Sequence, residues 1–402
     1  MPQEWSNWSG SLRFTPDSIE TPRDERHLAE LVQRAAAAGR TVRVVGAGHS
    51  SSALVKTDDV LISLERFQGL VAHDSNTHRA TLRTGMTLHE AGQKLLDVNL
   101  ALHNLGDVDV QTVVGAVGTG THGSGKRLQN LAAALVGARL VTGTGDIIER
   151  TIEDDPQFFC AARCSLGALG IFTEITLQLM PAYQLRRREW CTHVDDCLAH
   201  LNELIEQNRN FDFYWYPRSD EVKLRTLNIP GRERETLPYA TVVEDETGWS
   251  GDVIPKTREL KFEEMEYALP AEAGPACLRE IRERVKEKHR RTVGWRVLYR
   301  TVAPDDAYLS PAHARETVTI SILQNNTLPY REYFNDIEPI FRAHGGRPHW
   351  GKLHSLRAEE LRPLYPMWDA FLAARQQTDP TGTFLNRYLG ELLGIVKPVV
   401  MT

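Results

Sequence analysis

The eleven residues from Gly115 to Gly125, GAVGTGTHGSG, constrain this chain more than any other stretch. Five glycines among threonine, serine and histidine let consecutive backbone N–H groups converge on an anion, because no Cβ stands in the way. A second turn of the same kind, Gly46-Ala47-Gly48-His49-Ser50, follows the alternating, β-branched run 41–45, which reads as a strand entering a tight loop. Two such loops suit a diphosphate held by neutral donors, and they also read as plain tight turns in a β-rich layer. Two familiar motifs are spelled here by glycine alone: GxGxxG at Gly118, Gly120 and Gly123, and most of a P-loop from Gly120 to Lys126. Both fail on context. Arg127 stands where a P-loop needs Ser or Thr, and the dinucleotide fingerprint belongs at the start of a βαβ unit, not more than a hundred residues into the chain.

Around these loops the periodicity predicts helices over 24–39 and 87–96 and strands at 41–45, 59–63, 79–83, 132–142, 147–152 and 171–179. After Pro181 charge and aromatic density rise. Helices are predicted near 195–207 and 276–290, and strands near 211–216, 261–268, 294–302 and 316–323. The polar, aperiodic stretch 229–257 reads as a surface loop, and a helix over 358–376 follows the segment PHWGKLH. Helices scattered among many short strands indicate a mixed α+β layer rather than strict βαβ winding. With 402 residues the chain buries enough surface to fold without disulfides or a metal.

Forty-seven Lys and Arg against fifty-three Asp and Glu give a net charge of −6, which offers no footprint for nucleic acid or an acidic membrane. Five cysteines, never in a CxxC pair, fit a reducing compartment in which they serve as small packed apolar groups. No basic leader with an apolar run and no stretch of 18 uncharged apolar residues occurs, so a cytoplasmic protein is expected. There is no HExxH or paired cysteine ligand set, and no metal is expected. The absence of GxSxG argues against a serine hydrolase.

Several stretches in order resemble the FAD-binding flavoproteins of the vanillyl-alcohol-oxidase type, with a PCMH-type FAD domain. These are VGAGHS at 45–50, GDVDVQTVVGAVGTGTHGSG at 106–125, SLGALGI at 165–171, EMEYALP at 264–270, DDAYLSP at 305–311, HWGK at 349–352 and DPTGTFLN at 379–386. The nearest branch is the sugar-lactone and alditol oxidases, and the likeness spans essentially the whole chain. It implies a two-domain α+β fold: an FAD domain over 1–180, a substrate-binding cap over 181–347, and a segment over 348–402 that completes the active site and the flavin domain. It also implies FAD as cofactor, joined covalently through His49, which occupies the position of the attached histidine in relatives. Carried over residue by residue, the cofactor-binding set is Val45, Gly46, Ala47, Gly48, His49, Ser50, Ser51, Gly106, Asp107, Gly115, Ala116, Gly118, Thr119, Gly120, Thr121, His122, Gly123, Gly170, Ile171, His349 and Lys352. His122 also reads simply as a hydrogen-bonding residue that shapes its loop.

Oxidation of an alcohol by flavin needs hydride delivery from the carbinol carbon to N5, a proton acceptor, and positive charge near the reduced ring. By resemblance Arg300 and Lys352 are the catalytic cations. The substrate is a small alcohol or sugar-derived molecule, with dioxygen or another acceptor reoxidising the flavin. One departure stands out. Relatives carry Glu two residues before that arginine, to bind substrate hydroxyls, and this chain has Leu298. Leu323 and Gln324 end the strand where another small polar contact is expected, so Leu298, Leu323 and Gln324 form the candidate substrate-binding set, with Tyr299, Glu264 and Gln324 as possible compensating groups. A leucine cannot accept a hydroxyl proton, which points toward a less hydroxylated or partly apolar alcohol. The aromatic run Phe211, Phe213, Tyr214, Trp215 and Tyr216 is expected to pack into the cap core. The alternatives are an NAD(P)-dependent dehydrogenase using the glycines at 118–123, and a non-catalytic sugar-binding protein on the same fold.

Overall fold

The computed structural model describes residues 3–232, 236–256 and 259–395. The first part of the chain builds two small sheets. Val42–Val45, Val60–Ser63 and Ser18–Glu20 form a parallel sheet with Val60–Ser63 in the middle. The helix Glu25–Ala37 connects two of these strands and packs Leu28, Leu31, Val32 and Ala35 inward. It starts where Asp24 accepts from the His27 N–H at 2.7 Å, which satisfies one of the unpaired first-turn donors. A five-stranded antiparallel sheet follows, in the order Ile147–Thr151, Leu135–Val141, Ile171–Gln178, Arg79–Arg83, Leu70–Asp74. The helix Leu88–Asp97 is fixed by a capping box between Thr87 and Glu90.

The rest is dominated by an eight-stranded antiparallel sheet. Its order is Thr241–Trp249, Gln184–His193, Glu221–Asn228, Asn210–Tyr216, Val297–Val302, Thr317–Asn325, Phe262–Pro270, Arg347–Pro348. Alternation sorts its side chains. Phe213 stacks on Tyr299 with ring centroids 5.0 Å apart in the main apolar core, while Tyr214, Leu298 and Leu323 gather in a separate cluster on the other face. That second face looks toward the glycine loops, for the side chain of Arg300, on the same face as Leu298, donates from Nη1 to His122 O at 3.3 Å.

The last part of the chain returns to the beginning. The helix Trp368–Thr378 ends in the turn Asp379–Phe384, whose backbone reaches the first parallel sheet: Val42 N–H donates to Thr383 O at 2.8 Å and Arg43 Nη1 to Phe384 O at 2.5 Å.

The structure corrects several sequence expectations. The stretch 229–257 is not a plain loop, because Thr241–Trp249 is an edge strand paired with Gln184–Cys191, followed by the short helix Ser250–Val253; residues 233–235 lie outside the described set. The expected helix 358–376 is broken at Pro363 and Pro366 into Ala358–Leu361, a 3₁₀ turn Arg362–Leu364, and Trp368–Thr378. Part of the second glycine loop is helical, Val113–Gly118. All five cysteines are unpaired. Cys164, Cys197 and Cys277 are buried as expected, whereas Cys191 is exposed. Among the described residues no helix is long and apolar enough to cross a membrane.

Candidate active site

A cavity of about 350 Å³ opens where the strand Val42–Val45 ends. Its walls are the turn from Val45 to Ser50, then Gly115, Gly118 and Thr119, then Ser165 to Gly167 with Gly170 and Ile171. Glycine is required at two points. A Cβ on Gly46 would overlap the Thr112 hydroxyl, and Gly48 has φ of +66°, a left-handed conformation that side chains resist. Among the described residues only Arg43 and Glu65 bring formal charge to the walls, and Arg43 is already engaged by the carbonyls of Leu166, Gly167 and Phe384. Gln111 adds a buried Oε1 without a partner. A groove of backbone donors with an unsatisfied acceptor fits a large, hydroxyl-bearing dinucleotide such as FAD.

His49 lies at this cavity, its ring stacked on Trp8 with centroids 4.8 Å apart and planes at 21°. Burial, aided by the Lys352 charge, pushes its imidazole down to about 4, so it is neutral and keeps a lone pair at neutral pH. The glycine turn is tied to the HWGK segment: Ser51 N–H donates to Gly351 O at 2.8 Å and Ser52 Oγ to Trp350 O at 2.8 Å.

Strand Phe262–Pro270 brings Glu264 and Glu266 to one face, two residues apart. The segment after it in space, 349–353, runs alongside, with His349 N–H bonded to Glu266 O and Leu353 N–H to Glu264 O, each at 3.0 Å. Each carboxylate holds a different cation. Lys352 Nζ pairs with Glu264, and Arg300 pairs with Glu266. Glu266 also accepts from Ser321 Oγ at 2.5 Å and from His122 Nε2 at 2.7 Å. Burial pushes the Glu266 carboxyl upward, but Arg300, His122 and His349 together hold it well below the usual range. Burial opposes the charge on Arg300, yet Glu266, Asp107 and Glu264 raise its affinity for the proton further still.

His122 has its other nitrogen, Nδ1, 2.9 Å from Gly123 O. Both ring nitrogens therefore face an acceptor oxygen, which fixes the orientation of the ring against Glu266. His349 is different: burial pushes it down to about 3, and its Nδ1 accepts from Gly351 N–H at 3.0 Å, which leaves the ring proton on Nε2. The ligand atoms of His122, Glu266 and His349 lie within 4.8 Å of one another. A metal ion there would have to displace Arg300, because Glu266 already serves three donors. Arg300 and Lys352, each matched to its own carboxylate, hold two cations in a buried setting, suited to stabilising negative charge that develops during reaction.

The residues expected from the sequence divide clearly. Val45 to Ser50, Gly115, Gly118, Thr119, Gly170 and Ile171 line the main cavity, while Gly120, His122 and His349 line a small recess next to Glu266. Ala116 is packed in the apolar core instead. Gly106 packs on Thr121, and Gly123 packs on Asn104. Asp107 accepts from Tyr214 Oη and pairs with Arg225 at 2.7 Å, both on the eight-stranded sheet. Leu298 and Leu323 meet in the cluster with Tyr214. Gln324 is turned away: register places it on the opposite face from Leu323, where it bonds Gly294 N–H, Thr292 O and Pro329 O. The same alternation removes Tyr299, buried against Phe213. It also splits the aromatic run, with Phe211, Phe213 and Trp215 in the core as expected and Tyr214 on the site face. Glu266, Ser321, Arg43 and Trp8 were not singled out from the sequence; the only signal was the two-residue spacing of Glu264 and Glu266.

Comparison with known proteins agrees with this geometry. The family described as D-arabinono-1,4-lactone oxidase matches residues 175–242 and 229–392, and the family described as FAD binding domain matches residues 16–151. The chain is 34% identical to L-gulono-1,4-lactone dehydrogenase of Mycobacterium tuberculosis, over 97% of this chain and 99% of that protein. It is 27% identical to L-gulonolactone oxidase of Bos taurus (96% and 97% covered) and 28% identical to alditol oxidase of a Streptomyces species (96% and 98% covered). A crystal structure of cholesterol oxidase from B. sterolicum superposes with a TM-score of 0.86 at 16% identity, over 98% of this chain and 97% of that one, which shows the two-domain α+β fold. The chain belongs to the D-arabinono-1,4-lactone oxidase family and is an FAD-dependent oxidoreductase acting on CH–OH donors.

Proposed function

We propose that the protein oxidises the CH–OH carbon of a sugar-derived lactone, a polyol or a related small alcohol, with FAD joined to His49 and the electrons passed on to dioxygen or another acceptor. The observation that carries this reading is the placement of Arg300 and Lys352, each on its own carboxylate of the strand Phe262–Pro270, with Lys352 beside His49. FAD held in the cradle supplies the two-electron acceptor for the hydride that leaves the carbinol carbon. Arg300 and Lys352 orient the carbinol oxygen, and Glu264 receives the hydroxyl proton. The names of the relatives, which act on gulonolactone and alditols, support the substrate class.

The cofactor unit spans 1–180, the cap 181–347, and 348–402 completes the site; the bonds from the turn Asp379–Phe384 to Val42 and Arg43 support the last assignment. Five unpaired cysteines support a cytoplasmic location. The test is anaerobic bleaching of the holoprotein's flavin absorbance by a panel of lactones, polyols and simple alcohols. Bleaching by at least one of them is expected. A flavin that stays oxidised with the whole panel overturns the proposal. Admitting air afterwards distinguishes an oxidase from a dehydrogenase.

A further inference from the structure

Beyond Arg300 the site face continues along the strand Val297–Val302 through Leu298 to Arg296, just before the strand begins. Four residues of extended chain separate the two arginines by roughly 13 Å. Leu298, Leu323 and Tyr214 form a buried apolar cluster between them, with the partly buried Tyr216, Phe262 and Trp295 packed against it. The cluster adjoins a cleft of about 290 Å³ lined by Tyr216, Arg218, Gly294, Trp295 and Arg296.

Two features of that cleft are unlike the rest of the sheet. The first is unbalanced charge. Among the described residues two guanidinium groups lie over the Tyr214 ring, Arg225 at 4.8 Å and Arg296 at 4.0 Å. Arg225 is neutralised by Asp212 and Asp107, whereas Arg296 has no carboxylate partner among the described residues. Arg218, at the cleft's edge, is held by the carbonyls of Val293 and Arg291 and likewise pairs with no carboxylate among the described residues. The second is unmet donors: Arg296 Nε and Trp295 Nε1 are both buried and make no hydrogen bond. A fixed guanidinium stacked on an aromatic ring, next to an idle indole N–H, is built to receive a planar anion, and a carboxylate answers all of these donors at once. Hydroxyls alone would leave the charge uncompensated.

We propose that this cleft is a distal substrate subsite and that the substrate is an alcohol bearing a carboxylate at the end of an apolar spacer. The inference rests on the proposed oxidation at Arg300 and Lys352 and names the substrate class for it. The carbinol lies at the cations, the spacer crosses Leu298 and Leu323, and the carboxylate reaches Arg296. The leucine in place of the expected acid then has a purpose: a carboxylate at 298 would repel the substrate's own.

The experiment compares matched pairs, hydroxymethylbenzoate against benzyl alcohol and hydroxyhexanoate against hexanol, as reductants of the holoprotein. The acid of at least one pair is expected to show a kcat/KM roughly ten- to a hundredfold above its neutral partner, the range of a hydrogen bond to a charged group. The advantage should vanish in Arg296→Ala, return partly in Arg296→Lys, and fade with added salt, with turnover of the neutral alcohol unchanged throughout. Equal turnover of acid and neutral alcohol in the wild type, or equal loss for both in Arg296→Ala, overturns the subsite. Calorimetric titration with benzoate separates this from failure of the oxidation itself. If no alcohol bleaches the flavin, benzoate binding that is lost in Arg296→Ala still upholds the anion site, and absence of binding to the wild type overturns it.

Discussion

Glu266 and Arg300 form a buried ion pair on the same face of two strands that are not neighbours, with Ser321 on the strand between them bonded to the same carboxylate. The guanidinium is thereby held against the second glycine loop, where it also donates to His122 O at 3.3 Å. Glu266→Gln keeps the shape and removes the charge. It should cost about 3–5 kcal/mol of stability, the usual penalty for breaking a buried pair from one side. Flavin reduction should also slow, with Arg300 and His122 no longer positioned. Denaturant melts and stopped-flow reduction measure the two effects, and a variant as stable and as fast as wild type would remove Glu266 from this role.

His49→Ala should abolish flavin fluorescence that migrates with the polypeptide on a denaturing gel. The cradle itself is made of backbone, so the variant should still bind FAD, only dissociably. Trp8→Ala removes the stacked ring and should slow attachment without preventing it, read as the time course of gel fluorescence after adding FAD to apoprotein. A fluorescent band in His49→Ala would move the attachment elsewhere.

Lys352→Met removes the partner of a buried carboxylate and a cation beside His49. Anaerobic reduction should fall by about a hundredfold, in the range found when one electrostatic stabiliser is deleted from a site. Lys352→Arg should recover only part of it, because the fork of the guanidinium meets Glu264 differently from a single ammonium. Full activity in the methionine variant would exclude Lys352 from the chemistry.

Leu298→Glu introduces the acid that the family resemblance leads one to expect. In this protein the position is 3% exposed and packs against Tyr214 and Leu323. The substitution should destabilise by about 3 kcal/mol or more, since it places a carboxylate in a buried apolar cluster. Thermal melts test this; an unchanged midpoint would mean that the cluster opens readily to water.

Acid should weaken the fold through His349. Its imidazole titrates near 3 in the native protein against an ordinary 6.5. Between those values the unfolded chain binds a proton that the native protein refuses, so stability falls as pH drops from about 6.5 and the loss levels off near 3. The slope is at most about 1.4 kcal/mol per pH unit for one such group. His349→Asn retains an acceptor for Gly351 N–H and should flatten the dependence of the melting midpoint on pH; an identical slope would assign the effect to other groups.

The cradle was legible in the sequence because glycine at Gly46 and Gly48 answers a local geometric demand. The strands 42–45, 79–83 and 171–178 were legible because they alternate. The strand Thr241–Trp249 was not, since an edge strand with acidic residues on its exposed face carries no apolar period. Gln324 was misplaced for a related reason: composition marks a polar residue, but only register says which face it takes. Glu266 escaped notice because its role exists only when Arg300, Ser321 and His122, distant in the chain, converge on it. The helix expected over 358–376 failed at two prolines that interrupt an otherwise helical pattern.

The bond from Arg43 to Phe384 spans 341 positions of the chain. On a ribosome the strand carrying the first glycine turn is made early, yet one of its fixed partners is made 341 residues later. Over that interval the nascent cradle is incompletely braced, so a grip on the flavin needs the turn Asp379–Phe384 as well as the loops that touch the cofactor.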